Sequence, residues 1–167
     1  MPQTIVQQAQ AIATQAHSGQ VDKTGAPYTG HVERVAANLQ RLFPRLGEAF
    51  VAAAWLHDVV EDSVVTLDDL RAAGFPELTV AAVDAVSKRK DEPTTVYFTR
   101  IRATHGAKYV KVSDWLDNTD PGRLAGLDAE TRQRLRWKYS QAFELLSEGD
   151  DELRAHPEFY SRWQGLQ

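Results

Sequence analysis

Cysteine is absent from this 167-residue chain, which excludes disulfides and thiolate metal ligands together. No apolar run approaches the ~20 residues of a membrane span, and the opening MPQTIVQQAQ lacks a basic stretch followed by an apolar one. Neither a membrane anchor nor a secretory signal is therefore expected, and the expected location is the cytoplasm. Positive charge is not in excess: 19 Lys and Arg stand against 23 Asp and Glu, for a net charge of −4. That balance, with no basic stripe, speaks against nucleic acid and membrane surfaces as partners. A phosphate-bearing small molecule would have to be met by local cations or by a metal ion. Strand-like alternation is scarce too; YVKVS (residues 109–113) comes nearest, and its flanks favour helix.

What is present is helical spacing, in a chain of 43% apolar and 25% charged residues. Ile5, Val6, Ala9, Ile12, Ala13 and Ala16 form one stripe, and Gly19 follows as a stop. A loop rich in Gly, Pro and Thr leads to a second helix expected near His31, with Val32, Val35, Ala36, Leu39 and Phe43 facing inward. Residues 48–62 are apolar almost all round, which marks one interior helix. Thr66 and Asp69 have capping-box spacing. Further helices are expected over residues 76–87, 94–104, 107–118 and around Leu135 to Leu146, with a short one near the end. The expectation is an all-α fold over residues 1–167, in one domain with no internal boundary or repeat.

One cluster requires explanation. His57, Asp58, Glu61 and Asp62 close the most apolar helix, with His57/Glu61 and Asp58/Asp62 each four residues apart. Buried carboxylates must pair, protonate or bind a cation, and no Lys or Arg lies close by in sequence. A metal ion answers this economically; a solvated acidic helix end with one core histidine is the alternative. His31, after the Gly-rich loop, and Asp114, in an apolar helix with Asn118 four residues on, fit the same site. Two imidazoles with two carboxylates suit Mn(II), Fe(II) or Zn(II) better than Mg(II) or Ca(II).

The order His31, His57–Asp58, Asp114 resembles the HD superfamily of metal-dependent phosphohydrolases. HSGQVDKTGAPYTGH (residues 17–31), HDVVEDS (57–63) and KVSDWLDN (111–118) are similar to motifs of the alarmone hydrolases within it, and the likeness runs from about residue 5 to 147. The resemblance implies a single-domain helical HD-type fold and removal of the 3′-pyrophosphate from guanosine 3′,5′-bis(diphosphate), usually with Mn(II). It implies metal ligation by His31, His57, Asp58 and Asp114, and water activation by Glu61 and Asp62. It also places Asn118 at the ribose, Lys23 near the phosphates and Tyr28 in the substrate loop. Lys23 and Lys88 are the preferred phosphate contacts over Arg89 and Arg123. Relatives commonly carry two basic residues where this chain has Asp22–Lys23, and D-R-L-x-N where it has residues 114–118. The extra carboxylates, Asp22 and Asp117, and the loss of Arg at Trp115 should weaken binding of a tetra-anion. Adenosine analogues or other nucleotides are therefore alternative substrates, and a non-catalytic nucleotide sensor is an alternative role. Trp115 and Trp137 are expected in the core, with a base-stacking platform as the alternative; His17, His105 and His156 are expected to be structural or surface residues.

Overall fold

The computed structural model describes residues 2–167 and is all-α among them, with one isolated antiparallel bridge between Val21 and Pro27. The helices are α1 (Ile5–Ala16), α2 (Tyr28–Leu42), α3 (Glu48–Leu56), α4 (Val59–Asp62), α5 (Leu67–Ala72), α6 (Glu77–Val86), α7 (Thr94–Ala103) and α8 (Ala107–Asn118). They continue with α9 (Pro121–Ala125), α10 (Ala129–Leu146), α11 (Asp151–Arg154) and α12 (Pro157–Gln164). No helix is long and apolar enough to cross a membrane.

Local chemistry sets the helix starts. Thr4 accepts a hydrogen bond from the Gln7 N–H while the Gln7 side chain accepts from the Thr4 N–H, so two orphan donors of α1 are satisfied together. Thr66 and Asp69 do the same for α5, as their spacing predicts. The caps of α9 and α10 are Asp120 and Asp128.

Helix α3 lies at the centre. Every residue from Phe50 to Leu56 is buried, and α1, α2, α6 and α8 surround it. This explains its uniformly apolar composition: a helix with neighbours on all sides has no polar face to keep. Helix α10 lies over α7 and α8, and an aromatic cluster joins it to α12. Within that cluster Phe143 and Phe159 are 4.4 Å apart, and Trp115 meets Phe159 edge-on at 4.8 Å. Trp115 is core, as expected, and its indole N–H donates to the Tyr139 carbonyl at 2.8 Å.

Two expectations need correction. Helix α2 begins at Tyr28, one turn before His31, because Pro27 closes the loop in extended backbone and Gly30 is taken into the helix. The expected single helix over residues 48–62 is interrupted at His57–Asp58, where Asp58 has φ −108° and ψ −3°. That backbone region is sparsely populated and houses many active-site residues. The interruption builds the site. In a continuous helix His57 and Asp58 would diverge by ~100°, whereas here His57 Nε2 and Asp58 Oδ2 are 2.9 Å apart.

Candidate metal centre and cleft

His57 caps the end of α3. Its Nδ1–H donates to the Ala54 carbonyl at 2.7 Å, which aims Nε2 into the cluster. That Nε2 is buried and has no hydrogen-bond partner, although Asp58 Oδ2 and Asp114 Oδ1 lie 2.9 and 3.5 Å away. His31, on α2, points its own Nε2 at the same spot, 3.2 Å from Asp114 Oδ1 and 3.8 Å from Asp58 Oδ2. Donor atoms of His31, His57 and Asp114 lie within 4.8 Å of one another. Two imidazole nitrogens and two carboxylates thus converge from α2, the α3–α4 break and α8.

The protonation energetics point the same way. Burial opposes a charge on either imidazole, yet the carboxylates outweigh it: Asp58 and Asp114 raise the His57 pKa well above its ordinary value, and Asp114 and Asp117 raise that of His31. Burial likewise opposes ionisation of Asp58 and Asp114; His57 holds the first below the usual carboxylate range, and Lys111 with the imidazoles holds the second there. The pocket calls for positive charge, and its orphaned Nε2 and N/O donor mixture fit a divalent transition-metal ion.

Supporting contacts orient these donors. Tyr28 O–H donates to Asp58 Oδ2 at 2.5 Å, and its ring packs against His17 and His31. Asn118 Nδ2 donates to Asp114 Oδ1 at 2.6 Å, and Lys111 Nζ donates to Asp114 Oδ2 at 2.8 Å. Lys111 brings to Asp114 a cation that the sequence around residues 57–62 lacks, and its position three residues before Asp114 on a helix is a legible signal. Asp117 has partners of its own. It is buried behind His31, accepting from His31 Nδ1–H at 2.6 Å and from Arg34 Nε at 2.6 Å, with Arg123 also bound. Asp22 accepts from the Thr24 N–H and O–H and the Ala26 N–H, and its other oxygen accepts from Arg123 at 2.8 Å. Both extra carboxylates are paired with arginine guanidinium groups.

The cluster of His31, Asp58 and Asp114 lies in a cleft of about 600 Å³ lined also by Lys23, Tyr28, Glu61, Asp62, Lys88 and Asn118, a volume typical of small-molecule sites. Glu61 accepts from the Lys88 backbone N–H. Burial and the nearby Asp58 raise the pKa of Glu61 and of Asp62. Lys23 and Lys88 line the cleft without ion pairs among the described residues. Arg123 also lines it, but its guanidinium is committed to Asp22 and Asp117, and Arg89 turns away to Asp84. His17 is buried, with Nδ1 on Gln20. Trp137, expected in the core, is 66% exposed and lines the cleft beside Lys138. Lys138 is not among the expected contacts, and for Trp137 stacking is the alternative to the expected core position.

A family model described as HD domain matches residues 9–110. The chain belongs to the HD-domain family. Among curated relatives, this HD domain is 41% identical over 83 residues to a guanosine-3′,5′-bis(diphosphate) 3′-pyrophosphohydrolase of Vibrio cholerae, covering 50% of the chain and 11% of that protein. A protein of the same name from Aquifex aeolicus is 34% identical over 121 residues, covering 68% and 17%. The HD domain therefore spans only a small part of the length of these relatives. Among solved structures, a metazoan ortholog of SpoT described as hydrolysing ppGpp superposes with a TM-score of 0.75 over 99% of this chain and 95% of its own, at 20% identity. That likeness establishes the shared fold.

Proposed function

We propose that this HD domain is a metal-dependent hydrolase that removes pyrophosphate from the 3′ position of alarmone nucleotides of the guanosine 3′,5′-bis(diphosphate) type. The observation that carries the reading is the convergence of His31, His57, Asp58 and Asp114 beside Glu61 and Asp62, in a cleft with uncommitted lysines. The names of the curated relatives support the substrate class.

His31, His57, Asp58 and Asp114 would hold one divalent ion, Mn(II) first, with Fe(II) or Zn(II) as the alternatives. A bound ion would supply Lewis acidity, lowering the pKa of water and offsetting phosphoryl charge. Glu61, with its raised pKa, takes the proton of the attacking water, and Asp62 holds that water in place. Lys23 and Lys88 receive the phosphates. Asn118 keeps Asp114 in position from the ribose side, and Tyr28 does the same for Asp58. Water adds across the bond between ribose O3′ and phosphorus, leaving a 3′-hydroxyl and free pyrophosphate. Residues beyond the family-model match, in α8 and α10, complete the cleft, so we treat the chain as one HD-type unit. A nucleotide substrate places its work in the cytoplasm.

The test is ion-exchange analysis of products after incubating the purified protein with Mn(II) and guanosine or adenosine 3′-pyrophosphate nucleotides, beside a panel of ordinary nucleotides. Pyrophosphate release from either alarmone is expected, and the faster one identifies the preferred base. Turnover of ordinary nucleotides alone would overturn the alarmone assignment. Metal binding without any turnover would make the domain a sensor.

A further inference from the structure

Three of the four tryptophans have structural surroundings. Trp55 and Trp115 are buried, and Trp163 stacks on Phe143 at 4.9 Å. Trp137 differs. The core face of α10 is Leu135, Tyr139, Ala142, Phe143 and Leu146, and Trp137 lies off that stripe, exposed and without an aromatic partner among the described residues. It nevertheless lines the same cleft as the metal cluster.

The other aromatic side chains of the cleft are already committed. Tyr97, Phe98, Trp115 and Tyr139 are buried, and the Tyr28 hydroxyl is bound to Asp58. Asp22 is held by its own loop and by Arg123. The cations of the cleft are distributed differently: Lys23, Lys88 and Lys138 have no ion pairs among the described residues. Burial and the neighbouring Lys23, Lys111 and Lys88 lower the pKa of Lys138, and Asp114 only partly opposes them. A metal cluster, a set of unpaired ammonium groups and one free indole together match a ligand that is anionic in one part and flat and apolar in another.

We propose that Trp137 is the nucleobase-reading residue of this cleft: the base lies against its indole while the lysines and the metal centre hold the phosphates. The proposal rests on the nucleotide reading of the site given above. Stacking of this kind contributes ~10-fold or more in affinity and tolerates either purine.

The test compares two probes that cannot be hydrolysed at a 3′-pyrophosphate: guanosine 3′,5′-bisphosphate and the corresponding ribose bisphosphate without a base. Dissociation constants are measured by calorimetry on the wild type, Trp137→Ala and Trp137→Phe, each with unchanged thermal unfolding. The wild type is expected to bind the guanosine probe ~10-fold or more tightly than the ribose probe. Trp137→Ala should erase that advantage while leaving ribose-probe binding intact, and Trp137→Phe should keep most of it. The proposal is overturned if Trp137→Ala keeps the advantage, if it weakens both probes alike, or if the wild type shows no base preference. Failure of the wild type to bind either probe would instead sink the nucleotide reading of the cleft, and this proposal with it.

Discussion

His31 Nδ1–H donates to Asp117 at 2.6 Å, and that carboxylate is clamped from behind by Arg34 and Arg123. The contact fixes the tautomer that leaves His31 Nε2 free to bind a metal, and it prevents the ring from turning. Such partners typically contribute 10–100-fold to metal affinity. Asp117→Asn is therefore expected to weaken Mn(II) binding by about that factor in competition against a chelator. Activity should return at saturating metal, because no ligand has been removed.

Glu61 gives a contrasting prediction. Glu61→Gln keeps an oxygen for the Lys88 N–H and leaves all four proposed ligands in place. Metal content by elemental analysis should be unchanged, while kcat falls by ~10²–10⁴-fold, the usual contribution of a general base. Asp58→Ala should lose metal and turnover together. The pH profile follows from the same group. Burial raises the Glu61 pKa, and the Lys88 N–H only partly opposes it. The acid limb of kcat/KM should therefore lie above the ~4.3 of an ordinary glutamate, and it should disappear in Glu61→Gln.

Asp22 gives a prediction about stability. Burial raises its pKa, but hydrogen bonds from Thr24 and Ala26 and the charge of Arg123 more than reverse that, so the folded value lies below the ordinary one. Between the two values the unfolded chain binds more protons than the folded one, and stability rises with pH. The contribution is thus complete above pH ~4 and is lost as pH falls through the folded value. Asp22→Asn should lower the urea midpoint at pH 7 and, below pH ~4, lose less stability than the wild type as pH falls.

The sequence shows some of this architecture and hides the rest, for physical reasons. Capping boxes and apolar stripes are local patterns, and they located α1, α5, α6, α7 and α8 closely. The break at His57–Asp58 is hidden because the residues on both sides are apolar, and nothing local marks where a buried helix stops. Two of the partners of Asp117, Arg34 and His31, lie more than 80 positions away and meet it only through the packing of α2 against α8, so their pairing is hidden in the sequence, whereas Arg123 is six residues on. Trp137 could have been found: Leu135, Tyr139, Ala142 and Leu146 already define the inward face of α10, and position 137 lies outside it.

Gly106 joins the site to the core through backbone geometry. It precedes α8, the helix that presents Lys111, Asp114 and Asn118, and has φ +74° and ψ −19°, in the left-handed region. A Cβ at this position would fall 2.1 Å from Phe50 Cε1, against the central helix. Gly106→Ala thus incurs two separate costs: about 1–2 kcal/mol for the left-handed backbone and about 1–3 kcal/mol for forcing the ring aside. A total loss of roughly 2–5 kcal/mol is expected in urea unfolding. The two costs can be separated. Phe50→Leu in the Gly106→Ala background removes the aromatic edge and should recover the steric part, leaving the backbone part in place. A double-mutant cycle should therefore show a favourable coupling of about 1–3 kcal/mol between the two substitutions. Purely additive losses would mean that Phe50 has room to move and that the backbone alone demands glycine.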